Sequence, residues 1–191
     1  DLGLKWIYLL GMDTKLNYIT LREEILRSLL VDEARNWIGT TEGFKNNTGQ
    51  CVERFQKSVS LEAGDPWCAA FVWYCIDRVE SQAKCLDAGF PRNKTYRSGH
   101  VLTIWRNSPS SMKVSPKDAA SGDLVLWNKR GTTQGHIGIV MHNNHNGTFS
   151  SIEGNTSDGS GLERDGDGVF LKNRLVGGYG TMDVLGFLRV W

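Results

Sequence analysis

The chain changes its pattern of apolar and polar residues near its middle. In the first half, apolar residues recur every three or four positions, which is typical of helices with one buried face. Over residues 20–38 this stripe holds Leu21, Ile25, Leu29 and Ala34, and Gly39 is suited to end the helix. The pattern predicts helices over residues 20–38, 51–58, 66–78 and 101–105.

In the second half, alternating apolar residues separated by turn clusters predict strands. We expect at least four, over residues 123–127, 136–141, 148–153 and 184–190. Helices first and strands afterwards indicate an α+β domain in which N-terminal helices pack on an antiparallel sheet. We expect this domain to span residues 21–191, with residues 1–20 forming an arm or the remnant of a preceding module.

Charge and composition exclude several kinds of partner. The net charge is +1 and no run of Lys or Arg forms a basic patch, so we expect no nucleic acid partner. No apolar stretch is long enough to span a membrane, so we expect no membrane insertion. Asp165 to Gly168 resembles part of a calcium loop without the later Glu, and an ordinary Asp-Gly turn is the expected structure.

The four cysteines, Cys51, Cys68, Cys75 and Cys85, form no CxxC pair and lie near no histidine with zinc-ligand spacing, so we expect no metal. Cys75 lies seven residues after Cys68, on the same helical face, and is predicted to lie in the core. Cys51 and Cys85 either pair in an oxidising compartment or stay free.

Cys68 is the first candidate for chemistry. Asp65 is a residue type that caps helices, and Pro66 suits the first helical position, so Cys68 is predicted in the first turn. There the unpaired backbone N–H groups and the helix dipole favour a thiolate, which is the nucleophilic form. The alternative is a small buried apolar residue. The adjacent Trp67 is the best candidate among the tryptophans for lining a substrate cleft.

A nucleophilic cysteine needs a base, and His136 begins an otherwise apolar strand. Gly135 and Gly138 leave room beside it for another group, although a hydrogen-bonded core histidine is the alternative. Two polar residues in the next strand are candidates to orient the imidazole. Glu153 could accept from the ring, and Asn155 could do the same or polarise the carbonyl under attack.

Together these motifs resemble the CHAP domains of the NlpC/P60 superfamily, over about residues 30–191. They also resemble a bacterial and phage subfamily with a PWC-(S/A)-AFV motif and an upstream G-x-x-E…NN element. The motifs are Pro66-Trp67-Cys68-Ala69-Ala70-Phe71-Val72, Gly122-Asp123-Leu124-Val125, Gly135-His136-Ile137-Gly138-Ile139-Val140, Ile152-Glu153-Gly154-Asn155, and Gly39-Thr40-Thr41-Glu42 followed by Asn46-Asn47.

The resemblance implies a papain-like fold that cleaves amide bonds in bacterial peptidoglycan without a cofactor. By position, Cys68 matches the nucleophile, His136 the general base, Glu153 the acidic third member and Asn155 the assisting amide. Members of the subfamily commonly have a Gly-Gly-Asn pattern, or a variant of it, where this chain has Glu153-Gly154-Asn155. The role of the third catalytic residue could therefore fall to either Glu153 or Asn155. The insert from Asp158 to Gly168 is expected to reshape one wall of the cleft.

The sequence therefore predicts a peptidoglycan hydrolase that acts on the cell wall. It would be either an N-acetylmuramoyl-L-alanine amidase or a stem-peptide or cross-bridge endopeptidase. A thiol amidase with a non-wall substrate and a non-catalytic wall-binding module are the alternatives.

Overall fold

A computed structural model describes residues 2–157 and 166–191, with side chains from residue 17 onward. It contains four described helices: α1 (Leu2–Arg35), α2 (Gln50–Lys57), α3 (Cys68–Leu86) and α4 (Val101–Asn107). The described strands are β1 (Lys113–Val114), β2 (Leu124–Lys129), β3 (Gly135–Asn143), β4 (Thr148–Thr156), β5 (Gly168–Leu175) and β6 (Met182–Leu188). The four predicted helices and four predicted strands are all present, with shifted ends. Residues 158–165 lie outside the described residues; they make up most of the insert, Asp158 to Gly168, that is predicted to reshape the cleft, and they include the first residue of the Asp165–Gly168 turn.

The six strands form one antiparallel sheet in the order β1-β6-β2-β3-β4-β5. Helix α3 packs on β3 and β4, and α1 and α2 pack against α3. This arrangement confirms the predicted α+β class with helices on an antiparallel sheet. The sequence analysis missed two strands. Strand β1 has only two residues, and β5 begins at Gly168, the last residue of the stretch interpreted as an insert.

Each face of the sheet buries its own apolar cluster, because successive side chains of a strand point to opposite sides. Ile137 and Ile139 of β3 face the helices and join the main core. Val140 belongs to a smaller cluster with Val125, Trp127, Phe149 and Phe187. His136 packs against Trp127 with the two rings tilted, 5.4 Å between their centroids, so its side chain lies on the same face of the sheet as the smaller cluster.

Helix α1 begins much earlier than predicted, at Leu2 and not at Thr20. The predicted stripe is buried only in its second half: Ala34 is fully buried and Leu29 packs against the core, whereas Leu21 and Ile25 are 53% and 39% exposed. Leu26 and Leu30, which were not in the stripe, are fully buried. The division of the chain at residue 20 stays a prediction. Within the described part of the chain, no helix combines the length and apolar character needed to cross a membrane.

All four cysteines are unpaired in the structure. Cys75 lies in the core as predicted, and burial, with Glu33 nearby, raises the pKa of its thiol well above the usual value. Cys75 is therefore a core residue, whereas Cys85 is exposed at the far end of the same helix.

Candidate active site

Cys68 is the first residue of α3, and its side chain is 7% exposed. The expected cap is absent, because Asp65 accepts a hydrogen bond from the Glu62 N–H within its own loop (2.9 Å). The helix begins two residues later than predicted, after Trp67. As the first helical residue, Cys68 has a backbone N–H without an intrahelical acceptor, so the electropositive end of α3 still lies at the thiol.

His136 lies near the start of β3, and its ring nitrogen Nε2 is 3.0 Å from Oε2 of Glu153 on β4. The neighbouring glycine explains how these side chains fit together. A Cβ at Gly138 would lie 2.7 Å from Cγ of Glu153, which is closer than real Cβ contacts. The prediction that Gly138 leaves room for another group is confirmed, and that group is Glu153. Gly135 leaves room for the Trp127 carbonyl oxygen and Val101 instead.

Glu153 is fully buried and holds a complete set of donors. Its Oε1 accepts from the Ser151 hydroxyl (2.6 Å) and from Nε of Arg174 (2.9 Å). Its Oε2 accepts from a second guanidinium nitrogen of Arg174 (2.7 Å) as well as facing His136. Four contacts around one carboxylate hold it ionised and fix its orientation.

The electrostatics of the pair favour a protonated imidazole. Burial alone lowers the pKa of His136, but its interactions with Cys68 and Glu153 outweigh burial and raise that pKa to about 9. Burial raises the pKa of Glu153, yet His136 and Arg174 together bring that pKa down to about 2. Because Nε2 faces Glu153, the other ring nitrogen, Nδ1, is left for the thiol of Cys68.

Asn155 ends the same strand but does not contact the imidazole in the described contacts. With its amide oxygen toward α3, it accepts a hydrogen bond from the Trp67 N–H (3.1 Å), and its amide nitrogen donates to the Gly166 carbonyl (2.7 Å). Its φ of 53° is a left-handed conformation that Asn tolerates better than most residues. Asn155 therefore ties the end of β4 to the residue before Cys68.

Trp67 lies in the core and does not line the cleft. Its side chain is fully buried against Phe55, 5.7 Å between ring centroids. Its indole N–H donates to Oε1 of Glu42 (2.7 Å), while Oε2 of Glu42 accepts from the Asn47 N–H (2.7 Å). The prediction of Trp67 as a substrate-binding residue is thus corrected: an enclosed indole with a satisfied N–H supports the turn before Cys68. Glu42 and Asn47 belong to the upstream motif found in the sequence.

A second glycine brings the helix and the sheet together at the site. A Cβ at Gly154 would lie 2.7 Å from Cβ of Phe71, so only glycine allows α3 this close to β4. The first turn of α3 is thereby held beside the end of β4 that carries Glu153 and Asn155.

A cleft of about 460 Å³ is lined in part by His136. The described residues that line it include Lys129, Gln134, Asn155, Arg174, Tyr179 and Thr181. Sequence reasoning missed Arg174, Ser151 and Tyr179. For Ser151 the period-two spacing from Glu153 was an available signal, since both side chains point to the same face. Among the described residues, no group of three His, Cys, Asp or Glu side chains is placed to hold a metal ion.

Comparison with known proteins supports the interpretation of these motifs. The model of the CHAP domain family matches residues 59–155, about half of the chain. No curated protein and no solved structure matches the chain. Cys68, His136, Glu153 and Asn155 all fall inside the matched residues, and so do the α3 start and the β3–β4 pair that hold them. The chain belongs to the CHAP domain family.

Proposed function

We propose that this CHAP domain, from a family whose members typically hydrolyse peptidoglycan, cleaves an amide bond of the bacterial cell wall by thiol chemistry. The scissile bond is either the N-acetylmuramoyl-L-alanine amide or an amide of the stem peptide or cross-bridge. The observation that carries the proposal is the buried His136–Glu153 pair, 3.0 Å between Nε2 and Oε2, together with the first residue of α3, Cys68, whose proximity raises the pKa of His136.

The reaction begins from the ion pair in which His136 already holds the thiol proton, and the Cys68 sulfur attacks the amide carbonyl carbon. The carbonyl oxygen becomes an oxyanion, which the free Cys68 N–H at the start of α3 stabilises. The imidazolium then protonates the amide nitrogen, the C–N bond breaks, and the amine leaves. The acyl group remains on Cys68 as a thioester.

In the second half, His136 is neutral and removes a proton from water. The resulting hydroxide attacks the thioester carbonyl, the C–S bond breaks, and the carboxylic acid product leaves. The proton stays on His136, so the ion pair is restored without an external cofactor. Glu153 stabilises the imidazolium in both halves and keeps its Nδ1 directed toward the sulfur.

Digestion of purified peptidoglycan, with the products identified by mass spectrometry, tests this function. The wild type is compared with Cys68→Ala and with Cys85→Ala, which removes an exposed cysteine from the far end of the same helix. We expect new amine and carboxyl ends with the wild type and with Cys85→Ala, and none with Cys68→Ala. The identity of the new ends names the bond.

A folded wild type that releases no products from walls of several chemical types would overturn the hydrolase proposal. The same outcome would favour a non-catalytic wall-binding module. Cleavage of small amides without cleavage of any wall would also contradict the proposal, in favour of a thiol amidase with another substrate.

A further inference from the structure

We propose that Arg174 is a positioning residue of this site, which keeps Glu153 ionised and turned toward His136. The inference rests on the proposed function, because it assigns Arg174 a task in the same reaction. Arg174 lies on β5, outside the residues matched by the family model, and touches none of the reacting atoms in the proposed mechanism.

The contact between Arg174 and Glu153 is bidentate and shielded from water. The two guanidinium–carboxylate distances are 2.9 Å and 2.7 Å, and the side chains are 11% and 0% exposed. Two parallel N–H donors fix the plane of the carboxylate as well as its position. The oxygen at 2.7 Å from Arg174 is Oε2, the same atom that lies 3.0 Å from Nε2 of His136. Rotation of Glu153 away from His136 would therefore break both bonds to Arg174.

Aromatic rings brace the guanidinium from the side. The Arg174 guanidinium carbon lies 3.7 Å from the centroid of the Tyr179 ring, which is close enough for a cation–π contact. Tyr179 packs edge-on against Trp127 at 5.9 Å, and Trp127 in turn packs at a tilt against the His136 ring at 5.4 Å. The guanidinium and the imidazole are thus held by one continuous set of rings on the same face of the sheet.

The charges around Glu153 explain why a second cation is needed. Glu153 is faced by His136 from β3 and by Arg174 from β5, while Ser151 on its own strand is neutral. Lys172, also on β5, binds the Ser157 carbonyl oxygen (2.7 Å) instead. Among the described residues of this cluster, a Cys68 thiolate and the Glu153 carboxylate are the two anions, and His136 and Arg174 are the two cations. Without Arg174, the His136 imidazolium would be the one described cation beside both the Cys68 thiolate and the Glu153 carboxylate. The buried Glu153 carboxylate would then be protonated more easily.

The first test is titration of the Glu153 side-chain carboxyl by ¹³C NMR in the full chain without substrate. The variants are Arg174→Gln, which removes the charge but keeps a donor, and Arg174→Lys, which keeps the charge. Arg130→Gln is the matched control, because Arg130 makes a bidentate contact with Asp183 at the surface. We expect Glu153 to titrate near 2 in the wild type, the Lys variant and the control, and above 4.5 in Arg174→Gln.

Unchanged titration of Glu153 in Arg174→Gln would overturn the assignment. If that variant does not fold, as judged by its thermal unfolding, the wild type and Arg174→Lys decide the question. Titration of Glu153 near the ordinary value of 4.5 in either of them would overturn the assignment.

The second test is the pH profile of peptidoglycan digestion, which a merely structural role would not change. Because loss of the Arg174 charge makes Glu153 easier to protonate, Arg174→Gln should lose activity mainly at low pH, by about tenfold more at pH 5 than at pH 8. Arg174→Lys should restore the low-pH activity. An equal loss at every pH would contradict the assignment. A wild type that digests no wall, while the Glu153 titration shifts as expected, would overturn the proposed function and not the role of Arg174.

Discussion

At the scale of single residues, His136 is the group through which every proton of the proposed reaction passes. Its pKa of about 9 reflects two interactions that outweigh burial, one with Cys68 and one with Glu153. The acid form therefore persists through neutral pH, which suits a residue that must protonate a departing amine. Glu153 supplies part of this effect without touching the substrate in the proposed mechanism.

Replacement of Glu153 by Gln tests this dependence. Removing the carboxylate removes one cause of the raised pKa of His136, so the alkaline limb of the activity profile should move from near 9 toward 6.5. Activity at pH 8 should fall by up to about 30-fold, the loss of imidazolium that a full shift of this size gives at that pH. The measurement is the rate of wall digestion between pH 5 and pH 10.

Glu153→Gln also removes the buried carboxylate that Arg174 contacts, and breaking a buried ion pair costs about 3–5 kcal/mol in comparable cases. The double variant Glu153→Gln/Arg174→Gln removes both charges and is the control for that loss of stability. An alkaline limb that stays near 9 in both variants would contradict the role given to Glu153.

Residue patterns were sufficient to predict Cys68, His136, Glu153 and Asn155 as candidates, and the structure brings all four to one end of the sheet. They were insufficient for Arg174. The register of β4 and β5 pairs Arg174 with Phe149, four residues from Glu153 along β4. The Arg174 side chain is long enough to reach Glu153 across these four residues, and no pattern of residue spacing in the sequence reveals such a contact. Trp67 was misassigned because a tryptophan beside a nucleophile fits a cleft and a core equally well.

At the scale of elements, the start of α3 is held by a loop that carries the upstream motif. Glu42 accepts one hydrogen bond from the Trp67 indole and one from the Asn47 backbone. Gln56, which is fully buried, donates to the carbonyl oxygens of Asn47 and Asp65. The turn before Cys68 is therefore fixed by side chains of the upstream loop and of α2, where the sequence predicted an Asp65 cap.

Glu42→Ala should destabilise this turn. The variant leaves the buried Trp67 N–H without an acceptor, for which we expect a loss of about 1–3 kcal/mol in the free energy of unfolding. Denaturant unfolding measures the loss, and Glu62→Ala, which removes an exposed acid in the loop between α2 and α3, is the control. Equal stabilities of the two variants would show that the Glu42–Trp67 bond does not support the turn.

The errors in the helices have a common physical cause. Apolar residues occur on more than one side of α1, so spacing alone does not decide which of them are buried; tertiary packing buries Leu26 and Leu30 and leaves Leu21 and Ile25 exposed. The start of α3 moved from Pro66 to Cys68 because Asp65 satisfies the Glu62 N–H instead of the first turn. In both cases long-range contacts outweighed a local preference.

At the scale of the whole molecule, the buried ion pair makes stability depend on pH in both directions. The pKa of Glu153 is lowered to about 2, so its stabilising contribution is present above 4.5 and is lost as the pH falls toward 2. The pKa of His136 is raised to about 9, so its contribution is present below 6.5 and is lost as the pH rises through 9. Stability should be highest between these limits.

Thermal unfolding between pH 2 and pH 10 tests this expectation. We expect the free energy of unfolding to fall by about 3 kcal/mol toward low pH and by about 3 kcal/mol toward high pH. Much of both losses comes from one ion pair, because protonation of Glu153 breaks it at low pH and deprotonation of His136 breaks it at high pH. A double variant without both charges, His136→Gln/Glu153→Gln, should show a flatter profile than the wild type. Equal pH dependence of the two proteins would contradict the assignment of stability to this pair.

The order of elements and the antiparallel sheet followed from apolar spacing, because helix and strand periods differ clearly along most of the chain. The order of the strands in the sheet could not be predicted from apolar spacing, because β6 pairs with β1 and β2, which lie far from it in the sequence. This pairing also explains the Gly122-Asp123 motif. Arg189, directly after β6, binds the buried carboxylate of Asp123, directly before β2 (2.9 Å and 3.1 Å), and so joins the end of β6 to the start of β2.

The central claim is that the acyl group passes through a thioester on Cys68, and capture by hydroxylamine tests it most directly. Hydroxylamine competes with water for the thioester, so digestion of peptidoglycan in its presence should give hydroxamates in addition to carboxylic acids. We expect Cys68→Ala and an enzyme-free control to give neither product. Two results would contradict this claim. One is that the wild type releases amines and carboxylic acids but no hydroxamates as the concentration of hydroxylamine is raised. The other is that Cys68→Ala forms as much hydroxamate as the wild type.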